Sequence, residues 1–376
     1  MARRRIGLAY AAAALIPVAI LAAACSSGSS TTSKPAAAAT PTGPALSASP
    51  PSGSVSLSET GSSLLYPLFG SWATAYQTQY PNVKITPAST GSGTGISDAS
   101  TGAVDIGASD AYLSSSVRAS TPTLMNIAVA ISAQQINYNV PGVSNLKLDG
   151  TVLAGIYTGK ITNWDASQIK ALNPSAPLPN MPIVPLHRAD SSGDTFLFTS
   201  YLDAQDPSDW PANLVGTTVS WPSVSGALAE TGNSGMVSGC GATKGCIAYI
   251  GISYLAKTQA ASLSQAVLKN GSGKYVSPSA TTIAAEAASF VKSTPANQTI
   301  SLINGPAANG YPIVNYEYLI VNSTQSSTTT AQAIRALIYW EITTGQSSSY
   351  LTAVNFQPLS ASVVTLSENQ IKKIGS

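Results

Sequence analysis

Two extended apolar segments constrain this chain more than anything else in it. Residues 126–138 are apolar with few charges and are broken by Asn139-Val140-Pro141-Gly142; residues 311–321 form a second long extended run. About 170 residues lie between them, enough for a domain of their own. A chain that leaves one domain along the first segment and returns along the second makes a two-stranded hinge, with the second domain inserted into the first. The 376 residues, 44% of them hydrophobic, exceed what one core usually spans. The expected division is 55–138 and 314–376 for the first domain and 139–313 for the second.

Within that frame, strand-like and helix-like patterns alternate, as an α/β fold requires. Leu65, Leu68, Phe69, Trp72, Ala75 and Tyr76 recur at helical spacing after Gly61-Ser62-Ser63. Pro81-Asn82 ends that helix and 83–86 reads as a short strand. Ser89-Thr90-Gly91-Ser92-Gly93-Thr94-Gly95 is a hydroxyl- and glycine-rich turn that opens another helix, and 104–110 reads as a strand ending in a polar turn. Residues 330–344 predict a helix, and 235–252 read as loop followed by buried strand.

The densest chemistry is in His187-Arg188-Ala189-Asp190-Ser191-Ser192-Gly193-Asp194-Thr195-Phe196. The order describes a strand end, a glycine turn and a helix start. The first turn of a helix carries N–H groups without internal partners and a partial positive charge, so an anion can sit there. Arg188 adds a planar fork of donors matched to paired oxygens. An ordinary capped helix with a surface ion pair explains this stretch alone equally well. Three such hydroxyl-rich turns in one chain, each at a strand end or helix start, favour a ligand at the strand ends of an open sheet.

At the N-terminus, Arg3, Arg4 and Arg5 precede an apolar run, and small residues lead into Cys25. This is the layout of a secretion signal over 1–24, with Cys25 placed as a lipidation site. Ala22 stands where leucine is usual three residues before that cysteine. Residues 25–54 then read as a disordered, Ser/Thr/Ala/Pro-rich tether. Without the three arginines the formal charge of +2 becomes 2 − 3 = −1, and no basic stripe for nucleic acid is present. Cys240 and Cys246 are an even pair in an exported chain. Their intervening Gly-Ala-Thr-Lys-Gly can bring them together, for about 2 kcal/mol by the chain-entropy relation. Metal binding is the competing use, but His187 is the single histidine and a soft-ligand site needs more partners.

Gly61-Ser62-Ser63-Leu64, Gly91-Ser92-Gly93-Thr94-Gly95, residues 104–110, Arg188-x-Asp190-x-Ser192-Gly193 and Tyr311-Pro312-Ile313 together resemble the extracytoplasmic phosphate-binding proteins of the Pst-type ABC transporter, in particular their actinobacterial lipoprotein members. The resemblance implies an α/β, two-domain type II periplasmic-binding-protein fold with a two-stranded hinge, closing on one inorganic phosphate. It implies no enzymatic activity and no cofactor. Its partners are inner-membrane permease subunits driven by a cytoplasmic ATPase, and the membrane itself through a lipid on Cys25. By the same resemblance the phosphate ligands are Ser63, Leu64 through its backbone N–H, Ser92, Asp110, Arg188, Ser192 and Gly193, with Asp190 orienting Arg188. Asp194 stands where many members have threonine. An acid there contacts phosphate by accepting a phosphate O–H, or else turns away.

Hydroxyls, amides and one guanidinium can surround a desolvated anion without a large net charge. Asp110, when ionised, only accepts, so it pairs with the proton of hydrogen phosphate and repels unprotonated sulfate. Another tetrahedral oxyanion such as sulfate or molybdate is the first alternative. A phosphate-ester hydrolase using Ser192 and His187 is the second; no third orienting group is evident for it.

Overall fold

The computed structural model describes residues 45–375. The signal segment, Cys25 and residues 26–44 of the expected tether lie outside the described residues. Residues 45–54, expected to belong to that tether, are instead held against the fold. Leu46 and Ala48 pack on the core, Tyr76 Oη donates to Ala48 O at 3.0 Å, and Asn82 Nδ2 donates to Pro51 O and Gly53 O, each at 2.9 Å. One leucine and three satisfied carbonyls suffice to dock a segment whose composition is otherwise that of a linker.

Twelve strands follow: β1 (Val55–Gly61), β2 (Val83–Ser89), β3 (Ile106–Ser109), β4 (Leu124–Tyr138), β5 (Lys147–Leu148), β6 (Val184–Arg188), β7 (Leu228–Glu230), β8 (Cys246–Gly251), β9 (Ser264–Gln265), β10 (Val267–Lys269), β11 (Tyr275–Val276) and β12 (Val314–Asn322). Nine form one sheet in the order β2-β1-β3-β12-β4-β8-β6-β7, with β9 added on β4; β11-β10-β5 is a small separate sheet. The two apolar segments that frame the sequence are β4 and β12. They pair antiparallel along residues 124–133 of β4, with a register shift between Glu317 and Tyr318. Residues 134–138 of the same strand pair instead with β8. All fifteen residues of β4 are buried, as expected of a strand covered on both faces.

Sheet direction follows from these pairings. β1, β2 and β3 are mutually parallel, and β6 runs parallel to β7 and β8. Between the groups, β12 is antiparallel to β3 and β4, and β4 is antiparallel to β8. The two parallel groups therefore run in opposite senses, so that their carboxyl ends approach one another.

The helix Tyr66–Gln79 buries Leu68, Phe69, Trp72, Ala73 and Tyr76, a single face at intervals of three and four. Helix Thr328–Ile342 starts two residues before its expected position because Ser327 caps it, accepting from Thr330 N at 3.0 Å. Residues 235–242, expected as loop, are the greater part of helix Gly232–Ala242. Asn233, Met236, Val237 and Cys240 repeat every three or four residues and bury one face, and the glycines between them hid that period. Cys240 at the end of this helix and Cys246 at the start of β8 are joined by a disulfide, with Cα atoms 5.3 Å apart.

Candidate functional site

Five strands, three from one parallel group and two from the other, deliver their carboxyl ends to one place. β1 leads into Ser62 and Ser63, β2 into Gly91-Ser92-Gly93, β3 into Asp110, β6 ends on Arg188 and leads into Ser192-Gly193, and β7 leads into Asn233. Ser62, Ser63, Ser92, Asp110, Arg188, Ser192, Asp194 and Asn233 are all buried polar residues. The turns from the two groups touch directly. Gly93 N donates to Ser191 O at 3.0 Å, Asn233 Nδ2 to Ser63 Oγ at 2.9 Å, and Ser253 Oγ to Leu64 O at 2.8 Å.

Asp110 is the acceptor at the centre. Ser62 Oγ donates to its Oδ1 and Ser92 Oγ to its Oδ2, the latter at 3.3 Å. Gly193, first residue of helix Gly193–Gln205, lies against it so closely that a Cβ there would stand 2.4 Å from Asp110 Oδ2 and 2.6 Å from Ser92 Oγ. Only glycine lets this helix start reach the acid. Gly93 is fixed for the same reason, since a Cβ would fall 1.9 Å from Ser191 Oγ.

The Arg188 side chain is almost wholly buried and bracketed by two acids. Its Nε donates to Asp190 Oδ1 at 2.7 Å, its Nη2 to Asp190 Oδ2, and its Nη1 to Asp194 Oδ2 at 2.8 Å. Of the five guanidinium N–H groups, these bonds take three. The backbone of Arg188 is pinned as well, its N–H donating to Tyr249 Oη at 2.8 Å.

Asp194 turns its carboxylate onto protein donors: Oδ1 accepts from Gln134 Nε2 at 3.1 Å, and Oδ2 from Asn233 Nδ2 at 2.7 Å in addition to Arg188. Ser192 differs from the helix-start donor expected of it. Its backbone N–H donates to Thr217 O at 2.8 Å, while its buried hydroxyl has no partner among the described residues. Ser63 Oγ accepts from both Asn233 N and Asn233 Nδ2, which leaves its own O–H to be donated. Leu64 offers its carbonyl to Ser253 and buries its side chain.

These contacts set the charges. Burial, then the negative charge of Asp194, pushes Asp110 up to about 7, against the bonds from Ser62 and Glu317 and the charge of Arg188. Burial also raises Asp194, with Arg188, Gln134 and Asn233 pulling it back. Asp190 goes the other way: burial is outweighed by the hydrogen bonds and charge of Arg188 and by the Gly232 N–H, and its pKa is lowered. Burial disfavours the charged form of Arg188, yet Asp190 and Asp194 hold it firmly protonated.

Sequence reasoning missed Ser62, Gln134, Asn233, Tyr249 and Glu317. Ser62 carried a signal, since it is a hydroxyl in the turn before the helix, where its Oγ accepts from Leu65 N at 2.9 Å. Asn233 follows a short strand and opens a helix, the pattern of the other turns. Gln134, Tyr249 and Glu317 sit inside apolar strands and gave none. His187, the expected partner in a hydrolytic pair with Ser192, stacks on Trp221 with ring centroids 4.8 Å apart.

Comparison with known proteins identifies the family. The model of the PBP superfamily domain matches residues 33–343. The phosphate-binding protein PstS of Methanocaldococcus jannaschii is 33% identical over 81% of this chain and 82% of its own length, and that of Haemophilus influenzae 31% over 84% and 92%. The solved phosphate-binding protein of Stenotrophomonas maltophilia superposes with a TM-score of 0.62 at 22% identity, over 84% of this chain and 93% of that one. With this sequence likeness along most of both chains, and a mixed α/β fold whose parallel strands end at one polar cluster, the chain belongs to the PBP superfamily and, within it, to the family of PstS phosphate-binding proteins.

Proposed function

We propose that this protein binds inorganic phosphate outside the cytoplasm and passes it to an ABC permease for import. The observation that carries this reading is the meeting of hydroxyl donors, a helix start and a guanidinium around one buried acceptor, Asp110. The ligand takes donated hydrogen bonds from Ser63 Oγ, from Ser92 in exchange for its 3.3 Å bond to Asp110, from the unpartnered Ser192 hydroxyl, from the two remaining Arg188 N–H groups and from the opening turn of helix Gly193–Gln205. Asp110 accepts the phosphate proton. A buried acceptor facing unprotonated sulfate costs a few kcal/mol, about a hundredfold or more in affinity. Asp190 and Asp194 hold Arg188 in place, and Asp194 serves as its counter-charge, with Gln134 and Asn233 fixing the carboxylate.

The two lobes, 55–138 with 314–376 and 139–313, close on the ligand about β4 and β12. Support comes from β4, which pairs with β12 over one part of its length and with β8 over the other. A lipid on Cys25 anchors the chain to the membrane, and the closed form docks on permease subunits powered by a cytoplasmic ATPase. Titration calorimetry with phosphate, sulfate and arsenate tests the reading. Phosphate is expected to bind at least about a hundredfold more tightly than sulfate, with arsenate competing; equal affinity for phosphate and sulfate overturns it.

A further inference from the structure

Directly behind Asp110 lies a second acid. β12 pairs with β3 so that Tyr318 faces Ser109, and Glu317 and Asp110 are the next residues of the chain beyond that pair. Glu317 is fully buried. Its Oε1 accepts from Ser132 Oγ on β4 and from Asn315 Nδ2 at 3.1 Å, and Asn315 Nδ2 reaches on to Asp110 O at 3.3 Å. Its Oε2 meets no donor among the described residues, and Asp110 is the acid whose charge and hydrogen bonding act on it. Two carboxyl groups bond to one another only when one carries a proton, since two carboxylates can only accept and repel. Asp110 has donors in Ser62 and Ser92 and the Arg188 charge nearby, whereas Glu317 has no cation paired with it among the described residues. The proton belongs on Glu317 Oε2.

We propose that Glu317 is a positioning residue for phosphate recognition: protonated at Oε2, it donates to Asp110, keeping that group ionised and fixed as an acceptor. The proposal rests on the phosphate reading above. The groups that face the pair are Asp194 from the start of helix Gly193–Gln205, Arg188 from the end of β6, Tyr318 beside Glu317 on β12, and the neutral Ser132 from β4. Burial and the charge of Asp110 hold Glu317 well above the ordinary carboxylate range. Loss of its proton at alkaline pH turns a donor into a second negative charge behind the acceptor, and phosphate binding weakens.

Glu317→Gln keeps an N–H donor in place and has no proton to lose; Glu317→Leu removes the donor. By calorimetry, Glu317→Gln is expected to bind phosphate within about threefold of the native protein at neutral pH and to lose less affinity on going to alkaline pH. Glu317→Leu is expected to lose about tenfold or more and to narrow the ratio between phosphate and sulfate. Carboxyl-carbon NMR of the ligand-free protein, with the resonance assigned by its absence in Glu317→Gln, is expected to show a protonated glutamate at neutral pH. A carboxylate resonance there, or two variants that bind alike, overturns the proposal. A native protein that binds no phosphate overturns the underlying reading, and is told apart because the unmutated chain itself fails. Where Glu317→Leu does not fold, Glu317→Gln and the NMR signal decide.

Discussion

Two groups of buried acids sit on the same sheet and live by different rules. Around the site, Asp110, Asp190 and Asp194 are each met by hydroxyls, amides or the Arg188 guanidinium. Three residues before Ser62, on β1, Glu59 lies within reach of the charge of Glu341 in helix Thr328–Ile342. Both are buried, and none of their four oxygens meets a donor side chain among the described residues. Burial alone raises Glu59 to about 8, with only the Ala88 N–H pulling back, and burial with the charge of Glu59 lifts Glu341 well above its ordinary value. In the first group partners work against burial, lowering Asp190 and drawing on Asp110 and Asp194, which burial raises. The second gives up charge and stores protons.

The sharpest way to break this contrast is to remove the cation. Arg188→Ala strands Asp190 and Asp194, a loss of about 3–5 kcal/mol for a broken buried pair. Calorimetry is expected to show phosphate affinity down by at least about a hundredfold, with a lower melting temperature; affinity within tenfold of native contradicts the role given to Arg188. Asp110→Asn keeps the shape and loses the charge. Its phosphate affinity is expected to fall less, by about tenfold, while sulfate gains, and unchanged discrimination removes Asp110 from selectivity.

Ser192→Ala deletes a hydroxyl without a partner in the fold. Phosphate binding is expected to weaken about five- to tenfold with no change in melting. A destabilised variant shows that the hydroxyl serves the fold.

The smallest effect on binding belongs to Glu59→Gln, expected to leave phosphate affinity unchanged and to alter the pH dependence of stability. With a folded pKa of about 8 against 4.5 unfolded, native Glu59 keeps its proton where the unfolded chain has lost it. The stability that this proton supports is full below about 4.5, declines as pH rises through that window, and is gone above about 8. Urea melts at mildly acidic and alkaline pH are expected to differ less in Glu59→Gln than in the native protein, and an identical difference contradicts the assignment.

The residue pattern determined the α/β alternation, the two long strands now seen as β4 and β12, and the polar turns at the ends of β1, β2, β3 and β6. Those turns are local chemistry: Gly, Ser, Asp and Thr next to an apolar period announce a helix start whatever surrounds them. Convergence is not local. Asp110 meets Ser62 and Ser92 because β1, β2 and β3 run parallel and end together, and it meets Gly193 only because the second parallel group runs in the opposite sense across β12 and β4. For the same reason the sequence hid Glu317, which reads as one polar residue in an apolar strand and gains its meaning from the strand pairing that brings it near Asp110. Whether a buried acid is charged depends on donors arriving from distant parts of the chain. A one-dimensional pattern names the acid, and only the packed sheet supplies its partners.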